Sequence, residues 1–344
     1  MTTLHVVLPA DVDDAAHPSG GNHYDRRMCD GLAALGWSVR EHAVAGAWPH
    51  PDAAALDGLL GALGALPDGG LVLVDGLVAV PPAVLLHADR LRVLVLVHLP
   101  LGVARPADRD AECALLRRCA VVTTSAWTRA WLLDHYDLCA DRVSVVSPGV
   151  DRADPAPGTP SGGRLLVVGR VSSAKGHDLL GEALAAVGDL AWRCVCLGAL
   201  ADRSFVAALC GRLAEAGLAD RVELRGPRPP GGVRRAYAAA DLLVVPSRGE
   251  TYGMVVTEAL AHGVPVLAAA VGGVPEAMGR APDGRRPGLL VRPGDAAVLG
   301  RALRWWLADA RLRAGLRDAA SARRTTLTGW PEAATRLADV ISHG

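Results

Sequence analysis

The chain has one lysine, Lys175, against 35 arginines, and no excess of either charge: 36 basic and 36 acidic side chains in 344 residues. A balanced chain lacks the basic stripe of a nucleic-acid binder, so no nucleic-acid partner is expected. No apolar run reaches membrane-spanning length, which excludes stable insertion by a helix. The start, Met1-Thr2-Thr3-Leu4-His5-Val6, lacks the basic segment and cleavage site of a signal peptide. The seven cysteines include no Cys-x-x-Cys pair, so reduced, buried thiols in a cytoplasmic protein are expected. No Gly-x-Gly-x-x-Gly follows the first strand pattern, which disfavours a nicotinamide enzyme. There is no Gly-x-Ser-x-Gly elbow and no His/Cys cluster with zinc spacing, so neither a hydrolase triad nor a metal centre is indicated. Repeats of 20–50 residues are absent.

What is present is alternation. Hydrophobic residues make up 51% of the chain, enough for real cores, and the length suits about two domains. Short apolar runs predict strands at 5–9, 38–44, 71–75, 93–99, 121–125 and 143–147, with helices near 22–35, 52–65, 108–119 and 127–136. A second series predicts strands at 165–169, 193–197, 221–225, 242–246, 264–268 and 288–291. Between them, residues 154–163 hold three prolines and no apolar period, the composition of a linker. The reading is an N-terminal domain over 1–153, a linker, a C-terminal domain over 164–328 and a closing helix in 329–344. Strands alternating with helices imply doubly wound parallel sheets, two Rossmann-like domains whose ligands sit beyond the carboxyl ends of the strands, in the cleft where they face.

Lysine is a compact cation that enters a narrow phosphate pocket where the wide guanidinium fork does not fit. Lys175 lies in Gly169-Arg170-Val171-Ser172-Ser173-Ala174-Lys175-Gly176, directly after an apolar strand, with Arg170 five residues before it. A second segment, Pro246-Ser247-Arg248-Gly249-Glu250-Thr251-Tyr252-Gly253-Met254, leads from a strand into a helix expected from about Tyr252 to Ala261, with Glu258 eight positions after Glu250. Free N–H groups at that helix start form an anion site. Eight helical residues rise about 12 Å, a span that suits a sugar nucleotide: one carboxylate for hexose hydroxyls, the helix start for the diphosphate, the other carboxylate for the ribose.

The two segments together resemble the retaining glycosyltransferases of family 4, with the GT-B fold. Pro148-Gly149-Val150-Asp151, Ala240-Asp241 before an apolar strand and Pro-Ser, Gly272-Gly273-Val274-Pro275-Glu276 and Gly288-Leu289-Leu290-Val291 add to the resemblance, as does Gly20-Gly21, similar to the family's glycine loop. It implies that Arg170 and Lys175 neutralise the diphosphate and that Glu250 binds the donor sugar beside the backbone of Thr251, Tyr252, Gly253 and Met254. Glu258 then binds ribose. Gly21 lets the backbone approach the diphosphate or the acceptor, Gly169 lies at the donor, and Gly198 and Pro227 lie near the base. Gly20, Asn22 and His98 are assigned to the acceptor, with His98 also at the reacting sugar. No cofactor is implied beyond a nucleoside-diphosphate sugar as substrate, and no metal. The terminal helix after Trp330 is implied to cross back to the first domain. The pair Thr251-Tyr252 is bulkier than the family's usual residues and alters the expected sugar pocket. Asp11-Val12-Asp13-Asp14 and Asp108-Arg109-Asp110 carry the D-x-D string of metal-dependent transferases, but both are read as solvated loops.

Three activities fit this site: transfer of a hexosyl group to a small soluble acceptor, epimerisation or phosphorolysis on the same scaffold, and binding of a sugar nucleotide without turnover. Transfer is favoured. Residues 1–150 carry fewer basic than acidic side chains, which disfavours docking on an anionic membrane. Base, sugar, acceptor and oligomeric state are not readable from the sequence.

Overall fold

The computed structural model describes residues 2–16 and 18–343. The chain divides into two compact units. The first holds β1 (Thr3–Pro9), β2 (Ser38–Val44), β3 (Leu71–Asp75), β4 (Arg92–Val97), β5 (Ala120–Thr123) and β6 (Val143–Val145) in one parallel sheet, ordered β2-β1-β3-β4-β5-β6. β3 is buried at all five positions, as its unbroken Leu-Val-Leu-Val run requires of a strand covered on both faces. β2 lies at the edge and carries Arg40, Glu41 and His42, charges that discourage further pairing.

The second unit holds β7 (Arg164–Val168), β8 (Arg193–Leu197), β9 (Val222–Arg225), β10 (Leu242–Val245), β11 (Val266–Ala269) and β12 (Gly288–Val291), ordered β12-β11-β10-β7-β8-β9 and again all parallel. Alternate residues feed opposite cores. Leu165, Val167, Cys194, Cys196, Leu242 and Val244 pack on one face; Leu166, Leu197, Leu243 and Val245 pack on the other. Each fully buried Leu or Val contributes about 1.5–3 kcal/mol. The order reverses between β1 and β3 in the first sheet and between β7 and β10 in the second. Those are the two switch points, where open α/β sheets bind ligands.

Residues 154–163 are not a free connector. Ala156 N–H donates to the His262 carbonyl, the Thr159 hydroxyl and N–H both donate to Asp241, and Trp306 donates its indole N–H to the Gly162 carbonyl. A proline-rich stretch has few hydrogen bonds of its own, so the second unit's polar groups satisfy it.

Helix Trp330–His343 belongs to the first unit, where it lies against helix Gly20–Ala34. A Cβ at Gly31 would sit 2.5 Å from that of Ala334, so the absent side chain sets the close approach. Trp330 is buried, with its ring edge-on to Tyr24 and the Arg27 guanidinium 5.2 Å from its centroid. All seven cysteines are free thiols; Cys29, Cys119, Cys194 and Cys196 are buried, whereas Cys139 and Cys210 are exposed, contrary to the expectation of burial throughout.

Candidate active site

Two loops meet beyond the carboxyl ends of β7 and β10. Gly169–Gly176 leads from β7 into helix His177–Ala185, and Pro246–Gly253 leads from β10 into helix Met254–Ala261. Lys175 Nζ donates to Glu250 Oε1 at 2.6 Å, and the Ser247 hydroxyl donates to the same oxygen at 2.8 Å. Arg248 fastens the loops. Its N–H donates to the Ala174 carbonyl, and its guanidinium grips both Asp178 oxygens, at 2.8 and 2.7 Å, and the Ser173 carbonyl. That pairing holds the Asp178 carboxyl below the usual carboxylate range. Gly176 (φ 71°) lets the loops touch: a Cβ there would fall 2.0 Å from the Pro246 carbonyl oxygen.

Both helices at this switch point start on a glycine in the left-handed region, Gly176 and Gly253, and neither has a side-chain cap. In the first, His177 N–H donates to the Ser172 carbonyl and the Asp178 carboxylate accepts from backbone N–H groups of the first turn; the start of the second is left for a ligand. Arg170 is exposed, and its guanidinium has no hydrogen bond or ion pair among the described residues. The site therefore offers a free guanidinium, an ammonium held on a carboxylate and the start of helix Met254–Ala261.

Glu258 lies on helix Met254–Ala261, where the Tyr237 hydroxyl donates to its Oε2 at 2.7 Å. Burial raises the Glu258 pKa, against the stabilising hydrogen bond from Tyr237. The helix starts at Met254, two residues later than expected, because Gly253 at φ 90° cannot continue it. Glu250 thus sits on a turn, and the path from Glu250 to Glu258 is not eight helical residues. Gly272 and Gly273 support that turn. Gly273 N–H donates to the Glu250 carbonyl, and a Cβ at Gly272 would lie 1.7 Å from the same oxygen. Tyr252, expected to crowd the sugar pocket, packs its ring on the apolar cluster around Val256 and Val274. A cavity of about 200 Å³ lined by Pro155, Asp241 and Arg317 lies near the start of β10, the opposite strand end from Glu250.

In the first unit, Gly20 and Gly21 do not form a loop. They open helix Gly20–Ala34, and Ser19 caps it by accepting the Asn22 N–H at 3.0 Å. The Asn22 side chain donates to the Asp11 carbonyl. A Cβ at Gly21 would stand 3.2 Å from His98 Cδ2, so the missing side chain makes room for the imidazole. His98, one residue past β4, donates Nε2–H to Asp25 Oδ1 at 2.8 Å; Asp75, the last residue of β3, has an oxygen 3.6 Å from the same nitrogen. Burial works against a charged imidazole, but the charge and hydrogen bond of Asp25 and the charge of Asp75 push the His98 pKa up to about 9. Burial and the Asp25 charge in turn raise Asp75. The ligand atoms of Asp25, Asp75 and His98 lie within 4.8 Å of one another.

Residues 162–309 match the glycosyl transferases group 1 family. The match falls within the second unit. Among the chain's relatives are the D-inositol 3-phosphate glycosyltransferases of Corynebacterium aurimucosum, 36% identical over 64% of this chain, and of Streptomyces avermitilis, 37% identical over 61%. The matches span about half of those relatives, 56% and 49% of their lengths. Two solved structures share the fold over the whole chain. Sucrose-phosphate synthase from Thermosynechococcus elongatus has a TM-score of 0.81 at 23% identity, covering 99% of that chain. Anabaena HepE in complex with UDP-glucose has 0.77 at 17% identity, covering 100% of that chain. The fold is GT-B, two Rossmann-like domains.

The structure gathers Arg170, Lys175, Glu250, Thr251, Tyr252, Gly253 and Met254 at one switch point, and Gly20, Gly21, Asn22 and His98 at the other. Gly169 follows β7 at φ 148°. Gly198, expected near the base, packs on the Gly169 backbone: a Cβ there would meet that carbonyl oxygen at 2.0 Å. Pro227 lies in the loop after β9, partly buried. Neither D-x-D string is wholly solvated. Asp11 and Asp13 are exposed, but Asp13 pairs with Arg26; Asp108 is largely covered and bonds His50 at 2.8 Å. Sequence reasoning missed Arg248, Asp178 and Tyr237, whose partners lie 18 or more positions away along the chain. It also missed Asp25, although Asp25, Met28, Cys29 and Leu32 recur at helical spacing and put a carboxylate on an apolar face.

Proposed function

We propose that this protein is a retaining glycosyltransferase that moves a hexosyl group from a nucleoside-diphosphate sugar to a small soluble acceptor without a metal ion. The observation that carries the reading is the β7/β10 switch point: two helix starts without side-chain caps, Lys175 seated on Glu250, and Arg170 on the loop that carries Lys175. Departure of the diphosphate builds negative charge on a phosphate oxygen. Fixed donors aimed at that oxygen stabilise the transition state more than the ground state. Arg170 meets the diphosphate as a free cation, and Lys175 turns from Glu250 to share its protons with the phosphate. Glu250, held by Ser247 and by the Gly272-Gly273 turn, takes donor sugar hydroxyls. Glu258 takes the ribose, and His98 with the Gly20–Asn22 turn meets the acceptor. Retention follows from the resemblance to family 4. No described helix is long and apolar enough to cross a membrane.

The names of the relatives set the first substrates to try: UDP-glucose and other nucleotide sugars as donors, inositol phosphates and other small polyols as acceptors. The test is release of nucleoside diphosphate with and without acceptor, in EDTA, followed by NMR of the product anomer. A product of retained configuration formed in EDTA supports the reading. Inversion, strict dependence on added magnesium or manganese, or transfer only to vesicle-borne lipid overturns it.

A further inference from the structure

We propose that Asp25 is a positioning residue for His98: its buried carboxylate takes the Nε2–H, fixes the ring and leaves Nδ1 as the nitrogen that meets substrate. Asp25 is 2% exposed and stands on the inner face of helix Gly20–Ala34. Burying a carboxylate is costly unless it is paired, so its place on an apolar stripe calls for a partner, and the imidazole is that partner. Its second oxygen, Oδ2, has no hydrogen bond and is buried. The Asp25–His98 bond is therefore the side chain's main compensation, which makes the geometry stiff rather than shared among many donors.

The imidazole is held from three sides. Gly21 lies against the Cδ2 edge, the Tyr24 ring stands edge-on at 5.3 Å, and Asp75 lies 3.6 Å from Nε2. The charged and titratable groups around the ring are Asp25 and Tyr24 from the helix and Asp75 from β3. Tyr24 donates its hydroxyl to the Val146 carbonyl, and burial keeps it protonated. Which nitrogen of a histidine carries the proton is set by the bond the other nitrogen makes. Asp25 thus fixes the proton at Nε2. With two carboxylates beside it, the ring is also held as an imidazolium, so Nδ1 acts as a donor. Leu101 and Gly102, just past His98, donate their N–H groups to the buried Glu112 carboxylate, which holds that turn from the far side. The catalytic part of this inference rests on the proposed transferase reading; the protonation part does not.

The experiment is NMR of the whole protein, following the His98 ring nitrogens against pH with no substrate present. Wild type is expected to keep the Nε2 proton and to lose its charge near pH 9. Asp25→Asn is expected to lower that midpoint by about 1–3 units, and Asp75→Asn by less, because its oxygen is farther away. A neutral wild-type ring at pH 7, or an unchanged midpoint in Asp25→Asn, overturns the proposal. Should Asp25→Asn fail to fold, the wild-type titration alone still decides. In turnover, Asp25→Asn is expected to reduce kcat by about tenfold or more with little change in donor KM. The double variant with His98→Ala is expected to be no worse than His98→Ala alone; additive losses mean a merely structural Asp25. A confirmed titration with no transfer to any acceptor would count against the proposed function and leave the histidine assignment standing.

Discussion

The two switch points of this molecule are built on the same plan and equipped in opposite ways. At β7/β10 the helices start on Gly176 and Gly253 without side-chain caps, Arg170 is free, and the loops are tied by Arg248 rather than closed. At β1/β3 the helix start is capped by Ser19, and the chemistry is one histidine seated on buried carboxylates. Open N–H groups are useful where the ligand brings negative charge. A capped helix is useful where a side chain must be held still. Parallel sheets of order β12-β11-β10-β7-β8-β9 and β2-β1-β3-β4-β5-β6 both concentrate residues at the reversal, so the difference in task is written in caps and charges, not in topology.

The sharpest break in that comparison is removal of the cations. Lys175→Ala and Arg170→Ala are each expected to lower kcat about a hundred- to thousandfold, the effect of losing one transition-state donor. Lys175→Arg is expected to fail as well, since a planar fork cannot take the place of a single ammonium on the Glu250 oxygen that Ser247 also bonds. Near-normal turnover in Lys175→Arg would remove the argument from the lone lysine.

A smaller effect separates the two glutamates. Calorimetry with free nucleoside diphosphate should show Glu258→Ala weakened about tenfold and Tyr237→Phe about fivefold, the loss of one hydrogen bond to a carboxylate. Glu250→Ala should bind the diphosphate normally yet transfer poorly. The opposite pattern exchanges the ribose and hexose assignments.

The first unit answers to pH. The His98 pKa is raised from 6.5 to about 9 by folding, so its stabilising contribution is full below about 6.5 and is lost as the pH rises through about 9. Urea midpoints should fall over that window in wild type and fall less in His98→Gln. Equal slopes would mean that the histidine is not charged in the native state.

The smallest effect is expected at the cap. Ser19→Ala should cost about 1 kcal/mol in urea unfolding, with nucleotide binding unchanged. A loss of nucleotide binding would mean that the β1/β3 helix start serves the donor after all.

The sequence carried the strands well. The expected spans 38–44, 71–75, 193–197 and 288–291 match β2, β3, β8 and β12 residue for residue. Apolar runs covered on both faces and bounded by Gly, Pro or charge leave little choice of register or length. Helix starts were less legible. Gly253 ends the turn that Tyr252 was expected to begin as helix, and Gly20-Gly21 are helix where a loop was expected. Glycine permits either conformation, and neighbours decide: Glu250 and Gly272 in one case, Ser19 in the other.

The amino-acid order by itself determined the two α/β series, the lone lysine and the pair of glutamates. These are local: a period, a lone residue type, a fixed spacing. Only the tertiary structure decided that Lys175 rests on Glu250, 75 positions away, that Asp241 ties down the Thr159 segment, and that Asp25 meets His98 across 73 positions. Those pairs come from where parallel strands place their ends. Because a buried charge is tolerated only with a partner, the fold has to be formed before the sequence shows which partner it has.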